Sequence, residues 1–142
     1  MAVTAKVYDL AFTSFANKEI DWGTDTVKAM LCSSTYVPNQ GTHQYKSSVT
    51  GEITGTGYTA GGVTLASKTE VVTTRVKTFD AADPSWTTAT FTARYLVFYV
   101  STGTDATSPL ISYVDFGADV AVTASTFTYV IAATGIFTIT VA

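Results

Sequence analysis

From Phe91 to Val100 the chain carries apolar side chains on both faces of an extended segment, and a strand of that kind needs cover on each side. Phe91, Ala93, Tyr95, Val97 and Tyr99 share one face, and after Arg94 the residues Leu96, Phe98 and Val100 make the other apolar as well. Such a strand belongs at the centre of a layered β-structure. Other segments supply neighbours for it. Val27, Ala29 and Leu31 alternate with Lys28, Met30 and Cys32, and Leu110 to Phe116 alternates Leu110, Ser112, Val114 and Phe116 with Ile111, Tyr113 and Asp115. Thr69 to Phe79 is β-rich, with Val71, Val72, Val76 and Phe79 among threonines. Phe127 to Ile131 and Ile136 to Val141 complete the set, joined by Ala132-Ala133-Thr134-Gly135.

Val, Ile, Thr, Tyr and Phe dominate these runs, as a pleated, packed surface requires. Gly61-Gly62, Asp83-Pro84, Thr102-Gly103-Thr104 and Ser108-Pro109 punctuate them. Short strands at this spacing predict an all-β fold, an antiparallel sandwich or a barrel-like domain. No internal repeat or linker divides the chain, so residues 1–142 are expected to form a single domain.

Two stretches depart from the strand pattern. Residues 1–22 read as a short N-terminal arm, helical or extended, because Val7, Leu10, Ala11 and Phe15 fall on one helical face between Val3 and Ile20. Asn17 and Gly23 would end that helix. Residues 33–62 are rich in Ser, Thr, Gly, Asn and Gln, and a long polar stretch in a compact domain is usually functional or ordered by a neighbour. They are expected to form a contact-loop region, with Tyr36, His43, Tyr45 and Tyr58, together with Trp22, as interface residues.

Charged residues make up 13% of the chain, about half the usual share, and the net charge is −3. A weakly charged surface suits either a partner or solvation by hydroxyls. Lys28, Lys46, Lys68, Arg75, Lys77 and Arg94 are scattered singly, whereas counterion release on a nucleic acid needs clustered cations. Neither a nucleic acid nor an anionic membrane is therefore an expected partner. Cys32 is the single cysteine and sits in an apolar run, as a small buried hydrophobe would. Residues 1–6 lack the charged-then-apolar layout of a signal peptide, and Tyr95 to Val100 is far too short to span a membrane, so synthesis in the cytoplasm is expected.

The residues offer little chemistry. His43 is the single histidine, no Gly-x-Ser-x-Gly elbow is present, and one His and one Cys cannot complete a zinc shell. Asp80, Asp83, Asp105, Asp115 and Asp119 do not follow a calcium-loop spacing, and Asp80 and Asp83 are expected to cap turns. Glu19, Glu52 and Glu70 are the carboxylates a glycan hydrolase would need, but nothing in the sequence pairs them. Gly55-Thr56-Gly57-Tyr58-Thr59-Ala60-Gly61-Gly62 lacks the Gly-Lys-Ser/Thr ending of a phosphate loop and reads as a tight loop before Val63-Thr64-Leu65. No catalytic, cofactor-binding or metal-binding residue is expected.

One resemblance spans nearly the whole chain. Ile20-Asp21-Trp22-Gly23-Thr24-Asp25-Thr26-Val27-Lys28-Ala29-Met30-Leu31, Tyr36-Val37-Pro38-Asn39-Gln40-Gly41-Thr42-His43 and the glycine-rich segment Gly55 to Val63 are similar, in order, to small structural proteins of tailed bacteriophages. The similarity resumes at Trp86, Thr92-Ala93-Arg94-Tyr95 and Ser108 to Gly117, and lapses at Glu70–Phe79 and Val120–Thr126. The resemblance implies a non-enzymatic virion protein of the head decoration, tail or general structural kind, with no catalytic residues. The leading expectation is a capsid decoration (cement) protein on the outer surface of the head, with the major capsid protein and copies of itself as partners, a homotrimer among the options. A tail, baseplate or fibre component that meets a host-surface glycan is the alternative.

Overall fold

A computed structural model describes residues 2–142. These form one α-helix and eight strands: β1 (Thr4–Val7), α1 (Ala11–Ala16), β2 (Val27–Cys32), β3 (Val63–Thr64), β4 (Thr69–Thr73), β5 (Val76–Asp80), β6 (Ser85–Val100), β7 (Leu110–Thr128) and β8 (Phe137–Thr140). Every strand pairing is antiparallel. Five strands make one sheet in the order β1-β7-β6-β2-β3, and three make a second in the order β4-β5-β8. The fold is an all-β sandwich, with the helix a minor N-terminal element.

Both apolar faces of β6 are covered, but the register irregularity between Ala93 and Tyr95 puts Phe91 and Ala93 on the face of Leu96 and Phe98, not with Val97 and Tyr99 as alternation alone predicts. One face, with Leu96, Phe98, Ala29, Leu31 and Val114, joins Phe79 and Phe137 of the second sheet in a single buried cluster with Trp22. Val97 and Tyr99 lie in another cluster with Met30, Cys32 and Tyr113, closed over by Tyr8, Ala11 and Tyr36. β6 and β7 continue beyond the five-stranded sheet as a two-stranded ribbon, and their pairing shifts register at four places, three of them in the ribbon or where it leaves the sheet. Bulges bend and twist a strand, and Trp86, Ala89 and Phe91 on the far part of the ribbon are buried in the main cluster. Across the ribbon Arg94 Nε donates to Asp115 Oδ1 at 2.8 Å, which holds the Asp115 carboxyl below its ordinary pKa range.

Local expectations fare differently. The N-terminal segment is extended and then helical: Thr4–Val7 pairs with β7 as an edge strand, and the helix covers Ala11–Ala16 and ends at Asn17 as expected. The backbone partners that β7 offers outweigh a helical pattern too short to propagate. Residues 2–22 are accordingly packed onto the body, with Tyr8, Ala11, Ile20 and Trp22 buried. The β-rich stretch Thr69–Phe79 is a hairpin. Its two-residue turn, Thr74-Arg75, has positive φ at both positions (47° and 67°), the hairpin geometry that Asn-Gly usually supplies. Past Thr128 the chain leaves β7 and crosses to the second sheet, tied by Ile131 N–H to Asp83 Oδ1 at 2.8 Å. Asp80 caps locally through Ala81 N–H at 2.8 Å, whereas Asp83 makes this long-range contact instead. The glycine-rich loop is as tight as expected: a Cβ on Gly62 would lie 1.9 Å from the carbonyl oxygen of Ala29.

Candidate intersubunit surface

β4 is exposed along its full length and forms an edge of the three-stranded sheet. Its carbonyl at Thr69 accepts the Trp22 indole N–H at 3.0 Å, and its ladder runs to β5 without a shift from Thr69↔Asp80 to Thr73↔Val76. Edge strands are ordinarily protected by lysine, proline, a bulge or a covering segment, because an unpaired row of N–H and C=O groups recruits another chain. β4 has no lysine, no proline and no bulge. It instead presents Val71 and Val72, 55% and 66% exposed.

The face beside this edge is apolar too. Glu70, Phe79 and Phe137 lie in register across the three strands, as do Val72, Lys77 and Ile139. The first row belongs to the core: the rings of Phe79 and Phe137 stack at 4.3 Å, and Trp22 meets Phe79 edge-on at 5.6 Å. The second row lies beyond that cover. Val72, Ile139, Val141 and the aliphatic stems of Arg75 and Lys77 enclose an open concavity of about 220 Å³. Lys77 bridges the rows by pairing with Glu70 at 3.1 Å. The sheet is thus longer than the core beneath it and leaves a valine-rich shelf next to an unpaired edge.

The sequence-predicted interface residues fall elsewhere. Trp22 and Tyr36 are 3% and 1% exposed, so their rings fill the chain's own interior and cannot anchor a partner directly. Tyr58 is half-buried, donating to Glu52 Oε1 at 2.7 Å and accepting from Leu31 N–H at 3.1 Å. His43 and Tyr45 keep partial exposure. The His43 ring stacks on Tyr36, and Tyr45 donates its hydroxyl to Glu19 at 3.0 Å. Residues 33–62 pack over the second face of the large sheet through Tyr36, while Ser34, Thr35, Val37 and Thr54 remain outward. A polar stretch had a structural use here, because hydroxyls and amides satisfy the loop's backbone where strands do not.

Glu52 also accepts Gly61 N–H at 2.5 Å, so Glu19, Glu52 and Glu70 are each held by a different partner. A polar cleft of about 240 Å³ beside Glu52 is lined by Lys28, Lys46, Tyr99 and Asp105, and Lys46 pairs with Asp105 at 3.0 Å. Burial pushes the Cys32 thiol up to about 12 and lowers the pKa of His43. Among the described residues no three or more His, Cys, Asp or Glu gather to hold a metal ion, and no helix is long and apolar enough to cross a membrane.

The shelf was missed because Val71 and Val72 sat inside a run read only as β-rich. A signal was available: consecutive valines put one apolar residue on each face of a strand otherwise made of Thr and Glu. Comparison with protein families, with curated proteins and with solved structures returned no match.

Proposed function

We propose that this chain is a non-enzymatic structural subunit of a tailed-phage virion, acting as a decoration protein on the outer surface of the head. Its partners are the major capsid protein and further copies of itself, a homotrimer suiting the threefold positions of a capsid lattice. The observation that carries this reading is β4: an edge strand without lysine, proline or bulge, whose one charge, Glu70, pairs with Lys77, and which presents two exposed valines beside a shelf that the chain's own core does not cover. A chain built to stay alone would be expected to guard that edge. Its low charge supports the same reading, since little repulsion opposes close packing with neighbours. Each contact of roughly 800 Å² per partner is stable when well matched, and repetition over a shell multiplies it. The mechanism is clamping: area buried across capsomer junctions opposes the outward pressure of packaged DNA.

The long β6–β7 ribbon, with strands of 16 and 19 residues, supports a second reading, a tail, baseplate or fibre component that reaches a host-surface glycan. Quantitative mass spectrometry of purified particles, with immunogold labelling, separates the two. Label over the head at a copy number comparable with the capsid protein supports decoration. A few copies at the tail tip support the second reading, and particles without the protein overturn both.

A further inference from the structure

We infer that β4 pairs antiparallel with β4 of a second copy of this chain, in the register that sets Val71 against Val71, and joins two three-stranded sheets into one. The inference rests on the reading of β4 as an intersubunit edge and names its occupant.

Backbone direction limits the possible registers. The Phe79 carbonyl accepts Ile136 N–H at 2.8 Å and the Arg75 carbonyl accepts Val141 N–H at 2.9 Å, so this alternate set of residues turns its polar groups towards β8. Neighbouring residues of a strand point their N–H and C=O groups in opposite directions. Val76, Thr78 and Asp80 therefore face β4, where they meet Thr73, Val71 and Thr69. The groups left for the open edge are those of Glu70 and Val72. Residues that exchange bonds across an antiparallel seam must both face it. Centring the twofold on Glu70 sets that residue against itself, and like charges directly opposite are destabilising. Centring it on Val72 sets Glu70 against Thr74, whose φ of 47° breaks the extended backbone. Centring it on Val71 sets each Glu70 against Val72 of the other copy, and all the outward N–H and C=O groups of these two residues are paired.

Side chains agree with that register on both faces. On the outer face Thr69 meets Thr73 and Val71 meets Val71, cross-strand pairs of kinds that stabilise a sheet. On the inner face Val72 lies in register with Lys77, so Glu70 of the second copy completes the row with Val72 between the two charges. Two strand spacings, about 10 Å, are within the combined reach of a lysine and a glutamate. Lys77 pairs with its own Glu70 at 3.1 Å, so in the dimer each Glu70 has a lysine of each copy within reach. The seam is neutral and complementary to itself, as a twofold contact requires. A five-residue edge buries less than the roughly 800 Å² per partner of a standard interface, so the free dimer is weak and concentration-dependent.

Disulfide trapping tests the register. Opposed residues of a non-bonded antiparallel pair have Cα atoms about 4.5 Å apart, within disulfide range. Val71→Cys is expected to give a covalent dimer with oxidised glutathione, and Val72→Cys, at a site at least as exposed, little; the native Cys32 is buried. Sedimentation of the full chain up to about 1 mM is expected to show self-association. Val71→Lys and Val71→Glu are each expected to weaken it roughly tenfold, and an equimolar mixture of the two to restore it. Equal trapping at Val72→Cys, or a mixture no stronger than its components, overturns the register. Absence of association overturns the pairing and leaves β4 to a different protein. These measurements use the free protein, so the pairing can fail while labelled particles still carry the chain, and hold while they carry none.

Discussion

The hydroxyls of Tyr8 and Tyr36 lie 2.7 Å apart in a layer where neither ring is more than 1% exposed. Tyr8 comes from the turn after β1 and Tyr36 from the polar loop after β2, so this one bond ties the N-terminal segment to residues 33–62. Tyr36 Oη also sits 3.0 Å from His43 Nδ1, making a three-membered polar chain under the loop. Burial raises both phenol pKa values, that of Tyr36 to about 12, so both stay neutral and able to donate.

Removing one end of that chain is predicted to destabilise the fold modestly. Tyr8→Phe is expected to cost about 1 kcal/mol in denaturant unfolding, and Tyr36→Phe somewhat more, since it also strands His43. The double variant is expected to cost less than the sum of the two singles, because both lose the same bond. Strict additivity would show that the hydroxyls do not interact in solution.

His43 gives the loop a pH dependence of definite sign. Burial lowers its folded-state pKa below the ordinary value of about 6.5, so in that window the unfolded chain holds more of the proton. The contribution to stability is intact above about pH 6.5 and declines as pH falls from there through the folded-state pKa. Thermal melts between pH 7.5 and 5 are expected to show a falling Tm that His43→Gln flattens. An identical pH profile in the variant would refute the assignment.

The Thr74-Arg75 turn holds two ordinary residues at positive φ, which is unfavourable for a β-branched side chain. Replacing the pair with Asn-Gly suits the same backbone and is expected to stabilise the protein by about 1 kcal/mol. A lower melting temperature in the Asn-Gly variant would mean that the turn has a different conformation.

Phe98 is 2% exposed and packs in the main cluster between the sheets. Phe98→Ala is predicted to cost about 3–5 kcal/mol by removing a buried ring and leaving a cavity in its place. An unchanged melt would show that the core lies elsewhere.

Val72 is the converse case. At 66% exposure it contributes little to the fold, so Val72→Lys is expected to change stability by no more than about 0.5 kcal/mol. The same substitution places a charge on the β4 edge and is expected to reduce incorporation into particles in a competition assay against wild-type protein. Full incorporation would remove β4 from the interface.

Periodicity made the strands legible wherever one face had to be buried. Val27–Cys32 and Leu110–Phe116 appear as strands, and Phe91–Val100 is a doubly covered strand whose faces exchange at the irregularity between Ala93 and Tyr95, which strict alternation does not foresee. The hairpin at Thr74-Arg75 was illegible because its turn carries neither Gly nor Asn, and of the four apolar residues at helical spacing near the N-terminus only Ala11 and Phe15 lie in the helix, Leu10 capping it and Val7 ending β1. Tyr36 and Trp22 were read as contacts from their polar surroundings. Tyrosine and tryptophan in a polar loop look the same in sequence whether the ring turns outward or, as here, inward onto an adjacent sheet face.

The order of residues by itself determined that this chain is a β-protein with a doubly covered central strand, because alternation is a local property that each strand carries alone. Which strands are neighbours and where the second sheet outruns its core were decided only in three dimensions. Those features depend on how far one layer extends over another, and no segment of sequence encodes the position of the layer opposite.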